Sequence, residues 1–320
     1  MSSSGTNILV VRLSAMGDVI HALPAAASLK HGFPGARLTW VIAPRWAPLL
    51  ESNSFVDRVI LLDRKSLTSV RRARGELREA RFDLAVDFQG LIQSALVASA
   101  ARPDRLVGFD SAQVRERAAA LFYSRAVAVE AKHVVERNLE LARAAGASSL
   151  LRVFPLPEGA EEDALPDGEF VLACPLAGWE SKQWPAEYYE RLAERLAREA
   201  GVPLVVNGPP SSREALAVIR EARLHLSSLA GLIHATRRAT AVVGIDSGPL
   251  HLAAALGKPG VAIFGPTDPE RNGPYGGTLR VLRSAGAATN YKRGTRIDPS
   301  MREISPDAVF EALRPVASLA

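Results

Sequence analysis

Short apolar runs alternate along this chain with longer segments whose apolar positions recur every three or four residues, and that alternation predicts its elements. In the first half, residues 8–11, 37–43, 56–62, 82–88 and 106–109 read as buried strands. Between them, helical spacing marks an alanine-rich segment running from Val19 to Gly32, a polar one at 66–80, a small-residue one at 91–101, and others at 115–123 and 134–145. A short proline-bounded segment, 44–50, separates the second and third strands. Such a succession predicts repeated β-α units and a parallel sheet.

The pattern fades between 147 and 168, where Pro155, Pro157, Gly159, Pro166 and Gly168 accumulate as in a linker. It then restarts with strands at 170–174, 203–206, 241–245 and 261–264, helices at 186–200, 213–222, 229–236 and 250–256, and a terminal helix at 305–316. The expectation is an α/β chain of two Rossmann-like, doubly wound parallel-sheet domains, residues 1–155 and 156–304, with a terminal segment at 305–320. Such sheets bind ligands at the carboxyl ends of their strands, so the two domains would face each other across a central cleft.

Of the 320 residues, 48% are hydrophobic, enough for two cores. The single cysteine, Cys174, rules out an intrachain disulfide and a multi-cysteine metal site, which fits a reducing compartment. No apolar run reaches the roughly 18–20 residues that span a bilayer, and the opening Met-Ser-Ser-Ser-Gly-Thr lacks the charged and apolar regions of a signal peptide. A cytoplasmic protein is expected. The net charge is +5, and residues 58–81 alone hold eight Arg or Lys against three Asp or Glu. That segment is either a solvated helix face or a contact for an acidic or phosphorylated partner. It has no interleaved aromatics, so nucleic acid is not an expected partner.

Candidate chemistry sits where strands give way to helices. After the first strand, Gly17 permits a tight turn or a close ligand approach, and Asp18 near the helix start is either a helix cap or a carboxylate presented to a ligand. After strand 241–245 comes Gly244-Ile-Asp246-Ser247-Gly248-Pro249-Leu-His251. There Ser247 or Gly248 would cap the helix, Pro249 fits its first turn, and the free N–H groups with the helix dipole suit a diphosphate. His251, one turn beyond Ser247, either faces the same ligand or packs in the core. Strand 261–264 runs into Gly265-Pro266-Thr267-Asp268-Pro269, an adjacent binding loop or simply a turn. Strand 170–174 runs into a glycine-containing loop through Gly178, Trp179, Lys182 and Trp184, whose lysine would meet a phosphate as a mobile point charge or remain solvated. Gly244-x-Asp246-x-Gly248 also has the spacing of a hydrolase nucleophile elbow, but that arrangement needs a later histidine and none follows His251.

Five stretches, in order over nearly the whole chain, resemble the ADP-heptose:lipopolysaccharide heptosyltransferases of glycosyltransferase family 9. They are Ser14-Ala-Met-Gly-Asp18-Val-Ile-His21-Ala-Leu-Pro24, Asp87-Phe-Gln89-Gly90-Leu, Trp179-x-x-Lys182-x-Trp184-Pro185, Asp246-Ser-Gly248-x-x-His251-Leu-Ala-Ala and Phe264-Gly-Pro-Thr267-Asp268-Pro. Asp110-Ser-Ala-Gln-Val-Arg115-Glu, followed by Leu121-Phe-Tyr-Ser-Arg125, is most similar to the heptosyltransferase I branch, which adds the first heptose to Kdo on the lipid A core.

The resemblance implies a GT-B architecture with the acceptor on the first domain, the sugar nucleotide on the second, and segment 305–320 returning to the first. It implies an inverting transfer without metal or other cofactor, with Asp18 as general base and Lys182 plus the helix start at 246–251 stabilising the leaving diphosphate. Donor contacts are expected from Gly17, Gly178, Lys182, Ser212, Asp246, Ser247, Gly248 and His251, and acceptor contacts from Ser14, Arg64, Lys65, Gln89 and Arg115. The implied partners are ADP-heptose, a Kdo-lipid A acceptor and the inner leaflet of the cytoplasmic membrane, where the protein would act peripherally as a monomer. A helix N-terminus favours the ionised carboxylate, so Asp18 would act more through orientation than basicity. Ser211-Ser212 stand where close relatives carry a glutamate near the nucleotide ribose, Ser247 stands where threonine is common, and residues 290–301 lack the cysteines found there in many relatives. Two alternatives share the fold: a nucleotide-sugar epimerase, which needs no second substrate, and a non-catalytic sugar-nucleotide-binding protein.

Overall fold

Continuous apolar runs, rather than alternating ones, build the central strands because both faces of a parallel sheet are covered by helices. The computed structural model describes residues 5–316 and divides the chain between Pro157 and Glu158. In the first unit β1 (Asn7–Val11), β2 (Arg37–Ile42), β3 (Arg58–Leu61), β4 (Leu84–Asp87), β5 (Arg105–Phe109) and β6 (Arg125–Val127) form one parallel sheet in the order β3-β2-β1-β4-β5-β6. Ile8, Leu9, Val10 and Val11 at its centre are fully buried. Four helices accompany it: α1 (Met16–Gly32), α2 (Leu67–Glu79), α3 (Ile92–Ala100) and α4 (Val134–Ala145). Helix α1 is buried almost throughout and packs on α4. Helix α2 buries only Ala73 and Leu77. Its basic cluster is therefore largely a solvated face, partly neutralised where Arg58 reaches Glu76 at 2.7 Å.

The second unit repeats the winding. Strands β7 (Val171–Ala173), β8 (Leu204–Gly208), β9 (Arg223–Leu226), β10 (Ala241–Ile245), β11 (Gly260–Phe264) and β12 (Leu279–Arg283) lie in the order β12-β11-β10-β7-β8-β9. Its helices are α5 (Ala186–Ala200), α6 (Arg213–Leu216), α7 (Leu229–Arg238), α8 (Gly248–Ala255), α9 (Pro269–Asn272), α10 (Pro299–Arg302) and α11 (Pro306–Val316). No helix among the described residues is long and apolar enough to cross a membrane.

Three expectations need correction. The helix expected at 115–123 is a 3-10 segment, Arg117–Phe122, which buries only Ala119 and leaves Leu121 87% exposed. The one at 213–222 ends at Leu216, and its continuation runs as turns that bury Ile219 in the core while leaving Val218 exposed. Strands β6, β9 and β12 were not anticipated; each lies at a sheet edge, where solvent on one side admits the arginines that break an apolar run. Within the second unit, segment 305–320 contributes helix α11. Helix α11 packs on α5 and β11, placing Val309, Phe310, Ala312 and Leu313 in the second core beside Tyr189, Leu192 and Ala193. Residues 317–320 lie outside the described ones.

Both strand orders reverse once, between β1 and β4 and between β7 and β10. Connections leave such neighbouring strands in opposite directions, opening a crevice at their carboxyl ends.

Candidate active site

In the first unit the crevice receives the loops after Val11 and Asp87. Arg12 is buried, and its guanidinium is spent inward: Nη1 donates to the Phe88 carbonyl, and Nη2 lies 2.6 Å from Asp18 Oδ1. The other carboxylate oxygen of Asp18, Oδ2, accepts the Ala15 N–H at 3.0 Å. Asp18 is therefore not the helix N-cap. Helix α1 starts at Met16, Ala15 is its cap residue, and Asp18 reaches back from the third helical position as the acidic half of a capping box whose other half alanine cannot supply. Gly17 is the second residue of the helix, buried, and forms no turn of its own. The Asp18 side chain is 43% exposed and that of Arg12 10%. A carboxylate held by two donors thus shows its free side to solvent.

The β4 loop braces this arrangement. Gln89 Oε1 accepts the Leu13 N–H at 2.7 Å, tying the two loops together, so part of its side chain is structural. Asp87 is a buried hub that accepts from the Gln89 N–H at 2.8 Å, Ser94 Oγ at 2.7 Å and Tyr123 Oη at 2.8 Å. Burial pushes its carboxyl above the usual range, with the hydrogen bonds from Ser94, Gln89 and Tyr123 opposing. The Tyr123 phenol is pushed up in turn, by burial first and then by the Asp87 charge. Ser14 is half-buried two residues from Arg12. Arg64, after β3, hydrogen-bonds Gln93 on α3, while Lys65 and Arg115 are exposed in the loops after β3 and β5. These three share the carboxyl edge of the sheet, but none is brought onto Asp18.

In the second unit the crevice receives the loops after Ala173 and Ile245. It brings Lys182 and Asp246 together: Nζ lies 2.6 Å from Oδ2, and His251 Nε2 lies 3.6 Å from Oδ1. The carboxylate is 6% exposed, the histidine 7% and the lysine side chain 16%. Burial by itself would raise the Asp246 carboxyl, but His251 and Lys182 outweigh it and hold the group far below the usual carboxylate range. Lys182 also lies 4.3 Å over the Trp179 ring. Ser247 is the cap residue of α8, yet its hydroxyl caps nothing and has no hydrogen-bond partner among the described residues. Pro249 has no N–H, and that of Leu250 goes to the Ser247 carbonyl at 3.1 Å, so the helix start, with Gly248 first, keeps fewer free donors than an ordinary one. Gly178 is exposed with open space around it. The Ser212 hydroxyl donates to the Pro209 carbonyl at 2.9 Å and closes the turn after β8. Among the described residues no group of three His, Cys, Asp or Glu side chains could hold a metal ion.

Residues 70–300 match glycosyltransferase family 9 (heptosyltransferase). Lipopolysaccharide heptosyltransferase 1 of Pseudomonas aeruginosa is 33% identical to this chain, over 84% of this chain and 81% of its own. This chain belongs to glycosyltransferase family 9. It is a glycosyl-transferring enzyme, which sets aside the epimerase and the non-catalytic binder. Among solved structures, Escherichia coli heptosyltransferase WaaC with ADP superposes with a TM-score of 0.79 at 27% identity, covering 96% of this chain and 98% of that one. E. coli ADP-heptose lps heptosyltransferase II gives 0.80 at 24% identity over 98% and 99%, a likeness of fold. The family 9 enzyme described here therefore has the GT-B fold, each unit being one of its Rossmann-like domains.

Reading the sequence missed Arg12 and the Asp87–Tyr123 pair. A basic residue closing an apolar strand was the available signal for Arg12. Nothing local marked Tyr123 as the partner of an aspartate 36 residues earlier.

Proposed function

We propose that this enzyme transfers heptose with inversion from ADP-heptose to the Kdo region of a lipopolysaccharide inner-core acceptor. The observation that carries the mechanism is the Asp18 carboxylate, gripped by Arg12 and the Ala15 N–H while its side chain stays 43% exposed. The acceptor hydroxyl lies against Asp18 and gives it a proton as its oxygen attacks the anomeric carbon. The bond from that carbon to the diphosphate breaks on the opposite face, and its electron pair leaves with ADP. Lys182 and the α8 start meet the charge that develops on the diphosphate. Asp18 contributes chiefly position, since two donors fix its rotamer before substrate arrives.

Around these two groups, Ser14, Gln89, Arg64, Lys65 and Arg115 serve the acceptor, and Gly178, Ser212, Ser247, Gly248 and His251 serve the donor. E. coli WaaC has been solved with ADP and with ADP-2-deoxy-2-fluoro heptose, which supports an ADP-sugar donor here. The step needs no metal, because Lys182 supplies the cation. The acceptor brings the enzyme to the inner leaflet as a peripheral monomer.

The test is Asp18→Ala assayed with ADP-heptose and Kdo-lipid A. Turnover should fall by about a thousandfold or more, at the upper end for a general base, while ADP affinity stays within about threefold. Near-normal turnover removes Asp18 from the mechanism. A thermal-shift screen of ADP-, GDP- and UDP-sugars checks the donor, and selective stabilisation by UDP-sugars would sink the heptose assignment.

A further inference from the structure

We infer that residues 290–298 of the second unit and Ser181 form a phosphoryl-binding pocket beside Lys182. The proposal rests on the preceding reading only for the source of the phosphoryl group, donor diphosphate or phosphorylated acceptor.

A cavity of about 400 Å³ is lined by Ser181, Asn290, Lys292, Gly294 and Arg296, among others. Ser181 directly precedes Lys182 and is 7% exposed, and its hydroxyl has no hydrogen-bond partner among the described residues. Buried hydroxyls in native proteins are normally paired, so one left over at a cavity wall points to a missing ligand. The loop is anchored at both ends by backbone. The Asn290 N–H donates to the Pro266 carbonyl at 2.6 Å, and the Asp298 N–H to the Ser181 carbonyl at 3.2 Å. Gly294 lies so close that a Cβ there would stand 2.9 Å from Ser181 Cβ. A side chain at 294 would push the loop off the hydroxyl.

Between the anchors stand Lys292, Arg293 and Arg296, with no acid before Asp298. Asp298 Oδ1 is already taken by the Ser300 N–H at 3.0 Å and Ser300 Oγ at 2.5 Å. Trp179 links the loop to the lysine, with Lys182 Nζ 4.3 Å and Arg293 Cζ 5.9 Å from its ring centroid. Lys292 and Arg296 line the cavity with Ser181 and the half-engaged Asp298, while Lys182 and Arg293 flank it on the neighbouring indole, a surplus of cations that suits a compact multiply charged oxyanion. Guanidinium and ammonium groups bind phosphoryl oxygens in that way.

Two variants test the pocket. Ser181→Ala deletes a hydroxyl that is unpaired in the free protein, so the melting temperature should hold or rise. Affinity for ADP by calorimetry should nevertheless fall about tenfold, as for one lost hydrogen bond to a charged group. Lys292→Ala combined with Arg296→Ala alters exposed residues and should weaken binding similarly. Both are titrated with ADP and with inorganic pyrophosphate, and their acceptor KM is measured at saturating donor. Weaker ADP and pyrophosphate binding assigns the pocket to the donor diphosphate. Unchanged ADP binding with a raised acceptor KM assigns it to a phosphorylated acceptor. If both variants keep all three constants within about twofold of the parent, the pocket is overturned. Lys182→Ala, run alongside, separates the two readings: loss of ADP affinity there leaves the donor site standing without the pocket.

Discussion

Asp246→Asn takes one charge out of the pair between Lys182 and the α8 start. Asp246 Oδ2 lies 2.6 Å from the ammonium and Oδ1 lies 3.6 Å from His251, with the carboxylate 6% and the lysine 16% exposed. Removing one partner of a buried pair costs roughly 3–5 kcal/mol, because the other charge stays buried without compensation. Asparagine keeps the shape and one oxygen for Lys182, and the lysine has some access to water, so about 2–3 kcal/mol is the expected loss. For a unit of roughly 160 residues each kcal/mol shifts the melting temperature by about 2–4 °C, giving a drop of about 4–12 °C.

Scanning calorimetry measures the drop, and two controls make it specific. The Asp246 carboxyl is held below its unfolded value, so its contribution to stability is fully present above the unfolded pKa of about 3.9 and is lost as pH falls through the folded one. The gap between wild type and variant should therefore be flat from about pH 8 to pH 5 and close only in stronger acid. Saturating ADP should also raise the variant's melting temperature by more than the wild type's, since the diphosphate supplies the anion that Lys182 has lost. A drop under about 1 °C, or equal ADP shifts in both proteins, would refute the reasoning.

Arg12→Met should preserve donor and acceptor KM within about threefold while lowering kcat by tenfold to a hundredfold, because Asp18 loses the group that orients it. Steady-state kinetics decide it, and a kcat within twofold of wild type would show that the Ala15 N–H suffices. Cys174 is 6% exposed and burial pushes its thiol up to about 12, so in native protein at pH 8 it should react with a disulfide reagent only as fast as the fold opens. Rapid stoichiometric labelling would contradict that burial.

Asp18, Lys182 and residues 246–251 were legible because each follows an apolar run that could only be a buried strand. Their partnership was not, since Lys182 and Asp246 stand 64 residues apart. What joins them is the adjacency of β7 and β10, a strand order that no local pattern encodes. The same holds for Arg12 and the Phe88 carbonyl through β1 and β4. The misreading of Asp18 as a possible cap has a local cause. Aspartate is a preferred cap and alanine a poor one, yet the helix starts early enough to use Ala15, with Asp18 compensating from inside. Terminal helix α11 was found by its period, but the period shows only that one face is buried. Against which core it is buried depends on α5, whose apolar face meets Val309, Phe310 and Leu313.

The two crevices use one topology with the ion pair turned over. In the first unit the cation is the inner member, Arg12 at 10% exposure, and the carboxylate of Asp18 the outer one at 43%. In the second the carboxylate is inner, Asp246 at 6%, and Lys182 outer at 16%. Arg12 is held by the Phe88 carbonyl and Asp246 is flanked by His251, and each inner charge pairs with the outer one. The more exposed member is consequently negative in the first unit and positive in the second. The inverting displacement proposed above needs this difference: a proton acceptor for the attacking hydroxyl and a cation for the departing diphosphate. Exchanging either outer group for its opposite should therefore abolish transfer even where the fold survives, because the inner partner would then face a like charge.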